Sequence, residues 1–229
     1  IGEPDTNYGK GNYTITNNGQ LTVDANINIV AGTEGTKFPQ ALYAVHNAGE
    51  FTLNGGKIYN ATNIAVRQWI SSETKPSNIT VNGGEIEGLR AIWMHIPSSD
   101  TTKAPKGKLT VNGGKLIGTA IDGTQDSENI LAVYSYSYGN QVKNVEIEVN
   151  GGEIVGDIAL TGGRSNAKVD VEKVTINGGK FTGRWGDVYS YADDKLAAEA
   201  ITIKGGEFSS IVPATYLNST QEIRSEEHT

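Results

Sequence analysis

Six side chains in this 229-residue chain have the types and spacing to hold a ligand: Arg67, Trp69, Trp93, His95, Tyr134 and Tyr136. They form three pairs, each pair separated by one residue, and in an extended strand residues i and i+2 share a face. Val66, Ile92 and Val133 precede the pairs and suit the opposite, buried face. The three pairs then stand outward together, provided that the three segments are neighbours in one sheet. Aromatic rings stack on the apolar face of a pyranose, and Arg or His bonds its hydroxyls, so such a surface suits sugars. Rings of this kind are also what a loop or a partner subunit covers. The loops at 97–106 and 119–129 are candidates for that cover, and Ala44, Ala65, Ala91, Ala132 and Ala159, expected to point outward beside the rings, leave room for close packing.

The elements that must position these residues are announced by a repeat. VNGGEIEG at 81–88 recurs as LNGGK at 53–57, VNGGK at 111–115, VNGGE at 149–153, INGGK at 176–180 and IKGGE at 203–207. From Asn54 to Lys204 the intervals are 28, 30, 38, 27 and 27 residues. A supersecondary unit that returns at such a period signals a solenoid or related array. Before each corner the residues alternate apolar, polar, apolar, as in Ile79-Thr80-Val81 and Leu109-Thr110-Val111, which is the period of a strand with one buried face. Asn-Gly-Gly tolerates the positive φ of a sharp corner. An Asn-Gly hairpin competes with this reading, but it leaves the return of the same turn in every unit unexplained.

Two columns test the stacking. The charged residue after each corner runs Lys57, Glu85, Lys115, Glu153, Lys180, Glu207, changing sign at every step. Opposite charges on adjacent strands are favourable by a few tenths of a kcal/mol and like charges unfavourable, so this alternation expects coil upon coil in register. Thr52, Thr80, Thr110, Thr175 and Thr202 form a second ladder, broken by Glu148. A third alignment matches Tyr43-Ala44-Val45 with Ile64-Ala65-Val66, Arg90-Ala91-Ile92, Leu131-Ala132-Val133, Ile158-Ala159-Leu160 and Asp187-Val188-Tyr189. Each coil then carries three short strands. The expected fold is an all-β, right-handed parallel β-helix of about seven coils. One domain at 13–217 is flanked by a linker or arm at 1–12 and an exit segment at 218–229.

The chain resembles the right-handed parallel β-helix superfamily. Its NGG-x-apolar-x-Gly coils are similar to repeats in large bacterial surface proteins of the adhesin type. The closing GGEFSSIVPATYL at 205–217 looks like repeat ends in such proteins and in some phage virion proteins. The resemblance implies an extracellular or cell-surface module that binds a glycan or host receptor in adhesion. The alternative is a virion structural protein (fibre, spike or capsid decoration), for which a homotrimer is expected. A polysaccharide lyase or hydrolase is the third reading. β-Helix pectinases place clustered Asp pairs with His and Arg on one sheet, whereas the Asp pair here, Asp193-Asp194, falls in a loop and His46, His95 and His228 make no motif.

Composition narrows the field further. There are no cysteines, hence no disulfide, thiolate metal site or Cys nucleophile. Net charge is −7 with no Lys/Arg cluster, which disfavours nucleic acid, and no apolar run approaches a membrane span. No cofactor is expected. Asp122, Asp126 and Glu128 form an acidic loop of the kind calcium favours, without the spacing of an EF-hand. The Thr-x-Asn array resembles an ice-binding face, but Glu148 and Lys204 interrupt it and Asn at a corner already has a structural task. The chain starts at Ile1 without a signal peptide and reads as a segment of something longer.

Overall fold

The computed structural model describes residues 13–32, 41–97, 100, 102–119, 130–137, 142–160, 172–183, 187–190 and 194–217. Its strands follow one another coil by coil. The first coil holds β1 (Tyr13–Asn17), β2 (Gln20–Val23) and β3 (Asn28–Ala31), and the second β4 (Tyr43–Asn47), β5 (Glu50–Leu53) and β6 (Lys57–Asn60). The third holds β7 (Ile64–Trp69), β8 (Ser77–Val81) and β9 (Glu85–Gly88), and the fourth β10 (Arg90–Ile96), β11 (Gly107–Val111) and β12 (Lys115–Gly118). Then come β13 (Leu131–Ser137), β14 (Val145–Val149) and β15 (Glu153–Val155), followed by β16 (Asp157–Leu160), β17 (Lys173–Ile176) and β18 (Lys180–Thr182). The last coil holds β19 (Val188–Ser190), the short helix α1 (Asp194–Ala200), β20 (Ile201–Ile203) and β21 (Glu207–Phe208).

Every third strand joins the same sheet. Three parallel sheets of seven strands result, β1-β4-β7-β10-β13-β16-β19, β2-β5-β8-β11-β14-β17-β20 and β3-β6-β9-β12-β15-β18-β21. β8 pairs with β5 and β11, not with β9 across the corner, so the Asn-Gly-Gly turns join sheets and do not close hairpins. The chain is a parallel β-solenoid.

The core is built from like on like. Leu21, Phe51, Ile79, Leu109, Ile147, Val174 and Ile201 stack along the second sheet, and Ile29, Ile58, Ile86, Leu116, Ile154, Phe181 and Phe208 along the third. Most of these are fully buried. Burying each aliphatic side chain contributes about 1.5–3 kcal/mol. The registers pair Glu85 with both Lys57 and Lys115, Glu153 with Lys115 and Lys180, and Lys180 with Glu207. The alternating column is therefore real, with Lys57 Nζ 2.7 Å from Glu85 Oε1 and Lys115 Nζ 3.2 Å from Glu153 Oε1. The threonine ladder is real too and begins one coil earlier, at Thr22.

The corner asparagines make a further column. Asn82 Nδ2 donates to Asn54 Oδ1 at 2.9 Å, Asn112 to Asn82 at 2.8 Å, Asn150 to Asn112 at 2.8 Å and Asn177 to Asn150 at 2.7 Å. The glycine pair after each Asn lets the coils approach. Gly84 has φ +76°, and a Cβ there would meet the Gly56 carbonyl oxygen at 2.6 Å, so neither the conformation nor the space admits a side chain.

Three expectations need correction. The alanine column does not stand open beside the rings: Ala44, Ala65, Ala91 and Ala132 are fully buried in the core cluster, and Ala159, also buried, leaves the column to pair with Tyr134. Only Leu89 separates β9 from β10, and at this tight corner the incoming chain closes over the alanine backbone. A Cβ on Gly88 would lie 2.7 Å from the Ala65 nitrogen. The alignment of the last two units slips: across a bulge between Leu131 and Val133, Ile158 pairs with Val133 instead of Leu131, and Val188 pairs with Ile158 instead of Ala159. The last coil also contains α1, whose DKLAAEA is rich in strong helix formers. Residues 1–12, 120–129 and 218–229, with the acidic loop Asp122/Asp126/Glu128 and His228, lie outside the described residues, as does Asp193.

Candidate functional site

The first sheet brings the six outward residues together in two rows. Arg67, Trp93 and Tyr134 are register partners on β7, β10 and β13, and so are Trp69, His95 and Tyr136. Inward alternation seats Val66, Gln68, Ile92, Met94, Val133 and Ser135 in the interior, all fully buried. Gln68 is anchored there by donating to the Ser77 and Lys108 carbonyls at 2.6 and 3.0 Å, which fixes the strand that presents Arg67 and Trp69.

The rows extend beyond the six. His46 of β4 is the register neighbour of Arg67. Tyr13 stacks on Tyr43 with centroids 5.5 Å apart and on His46 at 4.8 Å. The sequence did not assign these three residues to the face, although His46 follows Tyr43-Ala44-Val45 just as Arg67 follows Ile64-Ala65-Val66. The alignment held the clue.

Arg67 is the hub. Its guanidinium carbon lies 4.1 Å from the Trp69 ring centre, 5.1 Å from Trp93 and 5.0 Å from Tyr43. Its Nε and Nη2 lie 3.2 and 2.7 Å from His95 Nδ1. A guanidinium only donates, so Nδ1 is the acceptor and the neutral His95 carries its hydrogen on Nε2. His95 is 5% exposed. It stacks on Trp93, with centroids 4.1 Å apart and planes 15° from parallel, and meets Trp69 and Tyr136 edge-on at 5.0 and 6.2 Å. Arg90 lies over Tyr134 at 4.6 Å. The other five predicted residues are half-buried, with His46 and Tyr13. His46 Nδ1 and Trp93 Nε1 are buried without a hydrogen-bond partner among the described residues.

The electrostatics follow from this packing. Burial, then the Arg67 charge, then His46 hold His95 down to about 3. Burial and Arg67 hold His46 down to about 4. A His95 cation would gain about 0.5–2 kcal/mol from stacking on Trp93. Against this stands repulsion from a guanidinium at 2.7 Å, about 6 kcal/mol at an effective dielectric near 20. Repulsion wins, and the site carries neutral imidazoles at neutral pH.

Elsewhere the chemistry is structural. Asp157, Glu172 and Asp187 are fully buried. Asp187 accepts from the Gly183 backbone nitrogen, from Ser209 Oγ at 3.0 Å and from the Ser210 nitrogen at 2.9 Å, tying the last coil to the one before. Ser135 Oγ donates to Glu172. These acids are sealed from solvent. Asp194 opens α1. A shallow polar depression of about 200 Å³ on the second sheet is lined by Lys108, Glu146, Glu148, Lys173 and Lys204. Lys108 sits 2.6 Å from Glu148 and 3.8 Å from Glu146, which largely neutralises the patch. No group of three or more metal-ligating side chains occurs among the described residues. No family model matches the chain, and it has no significant match among curated proteins or solved structures.

Proposed function

We propose that the chain is a non-enzymatic, surface-displayed β-solenoid module that binds a glycan or glycosylated receptor through its first sheet. The observation that carries this reading is the pair of rows Arg67–Trp93–Tyr134 and Trp69–His95–Tyr136, half-buried at every position but the buried His95, on strands whose inner faces are locked in the core. Half-exposed rings on a rigid sheet present stacking surface at little ordering cost, which is what weak to moderate sugar affinity requires. Burial of Asp157, Glu172 and Asp187 supports the non-enzymatic part, since a substrate cannot reach them.

A glycan array probed with the purified chain, alongside its light-scattering mass, tests the reading. The expected result is a specific hit by a monomer, lost in Trp69→Ala and Tyr134→Ala variants that keep the far-UV spectrum of the parent. A blank array would remove the reading. The mutual packing of the rings favours a second one, a phage virion structural protein whose same face packs subunits. That reading expects a stable trimer by sedimentation, and a monomer counts against it.

A further inference from the structure

The bond between Arg67 and His95 has a single polarity. Arg67 Nη2 can only donate, and His95 Nδ1, 2.7 Å away, accepts with its lone pair. Since Nε2 already carries the ring hydrogen, the proton that makes His95 cationic must enter at Nδ1. Protonation at that one atom removes the acceptor, sets a donor against a donor, and places a second full charge beside the first. Arg67 is the residue that spans Trp69 and Trp93, so its displacement unstitches both rows. We propose that His95 is an acid-operated latch on the aromatic face, whose protonation at Nδ1 expels the Arg67 side chain from between Trp69 and Trp93.

The other charged and titratable groups facing the latch act in the same sense. His46 of β4 lies beside Arg67, and Arg90 of β10 lies over Tyr134; both are cations in acid. Tyr43 and Tyr136, of β4 and β13, are phenols and carry no charge there. Burial, Arg67 and His46 hold His95 near 3, and burial with Arg67 holds His46 near 4, so the latch is shut at neutrality and opens in strong acid. On the reading that this face binds a glycan, the same step unloads the ligand. That consequence rests on the proposed function, whereas the latch itself does not.

The test begins in the wild-type chain. Long-range ¹⁵N–¹H correlations at pH 7 are expected to show His95 with its hydrogen on Nε2; a hydrogen on Nδ1 would overturn the proposal. The second measurement is indole emission in a Trp185→Phe background, which leaves Trp69 and Trp93 as the only indoles. Emission is expected to move to the red as pH falls from 6 toward 3, with the far-UV β signal unchanged. His95→Gln, whose side-chain carbonyl accepts from Arg67 without titrating, is expected to abolish the shift, and His46→Gln to keep it. A shift that persists in His95→Gln, or loss of β signal at the same midpoint, would overturn the latch. Where a glycan binds, acid release in the wild type and retention in His95→Gln extends the latch to the ligand. A blank glycan panel sinks only the proposed function and leaves the spectroscopic result standing.

Discussion

Asn54 Nδ2 donates to Asp24 Oδ1 at 2.9 Å, and this bond ends a chain of side-chain amides that all point the same way. From Asn177 to Asn54 each amide gives its hydrogen toward the first coil. A carboxylate, which can only accept, stands at the receiving end. Lys204, which can only donate, occupies the equivalent place at the other. The two departures from Asn in the corner column are thus the two that the direction of the chain requires.

The first prediction concerns this ladder. Asn112 makes two of its bonds, one given and one received. Each exposed hydrogen bond contributes about 0.5–1.5 kcal/mol, so Asn112→Ala should cost about 1–2 kcal/mol. Asp24→Ala forfeits the single ladder bond it receives and should cost about half as much. Urea unfolding of both variants measures the ratio; equal losses would mean that the ladder does not act through its bonds.

A pair of glycines separates conformation from mere composition. Gly84→Ala forces φ +76° on a residue with a Cβ 2.6 Å from the Gly56 carbonyl and should destabilise by well over about 1 kcal/mol. Gly19→Ala meets nothing within 4 Å and should change stability by less than about 0.5 kcal/mol. Thermal melts of the two variants decide, and a similar Tm for both would contradict the corner argument.

Charge order along the third sheet is testable by salt. Lys115 lies between Glu85 and Glu153 in register. Lys115→Glu makes three adjacent acids, and the expected loss is about 1 kcal/mol or less, because Lys115 and Glu153 are over a third exposed and Glu85 nearly so. Raising ionic strength should recover most of that loss. A cost indifferent to salt would point to packing of the Lys stem.

Acid should weaken the fold through the two imidazoles. Both are held below their ordinary value of 6.5, His46 to about 4 and His95 to about 3. The unfolded chain therefore takes up protons first. Their contribution is complete above pH 6.5 and is lost as pH falls toward 4 and then 3. Urea midpoints should decline between pH 6.5 and 5, before most carboxylates titrate. In a His46→Gln, His95→Gln double variant that window should be flat, and an unchanged slope would assign the loss to other groups.

Much of this architecture can be read from the chain because a parallel stack repeats its own reasons. Lys57 through Glu207 alternate since like charges one strand apart repel, and the structure pairs them as the sequence orders them. The six ring and cation residues fell into two rows because period-two alternation survives wherever the strand is straight. It failed where the backbone is not. The bulge at Leu131–Val133 carried Ile158 from the Leu131 position to a pairing with Val133, and no residue type announces a bulge. The alanines were misplaced because alternation knows two faces, while a corner has a third environment, in which a glycine from the far end of the coil can press on the backbone, as Gly88 does on Ala65. His46 and Tyr13 were passed over since their partners sit in other coils, 21 to 33 residues away, and ring contacts leave no local pattern.

Each strand bonds only to the coil before and the coil after, so the molecule works as a ruler. Inserting one more unit of about 30 residues adds a single strand spacing, about 4.8 Å, to its height and leaves every other rung as it was. Arg67, Trp93 and Tyr134 occupy the middle three rungs, with two below and two above. The platform can therefore be raised or lowered by coil duplication toward either end without redesigning a single contact within it.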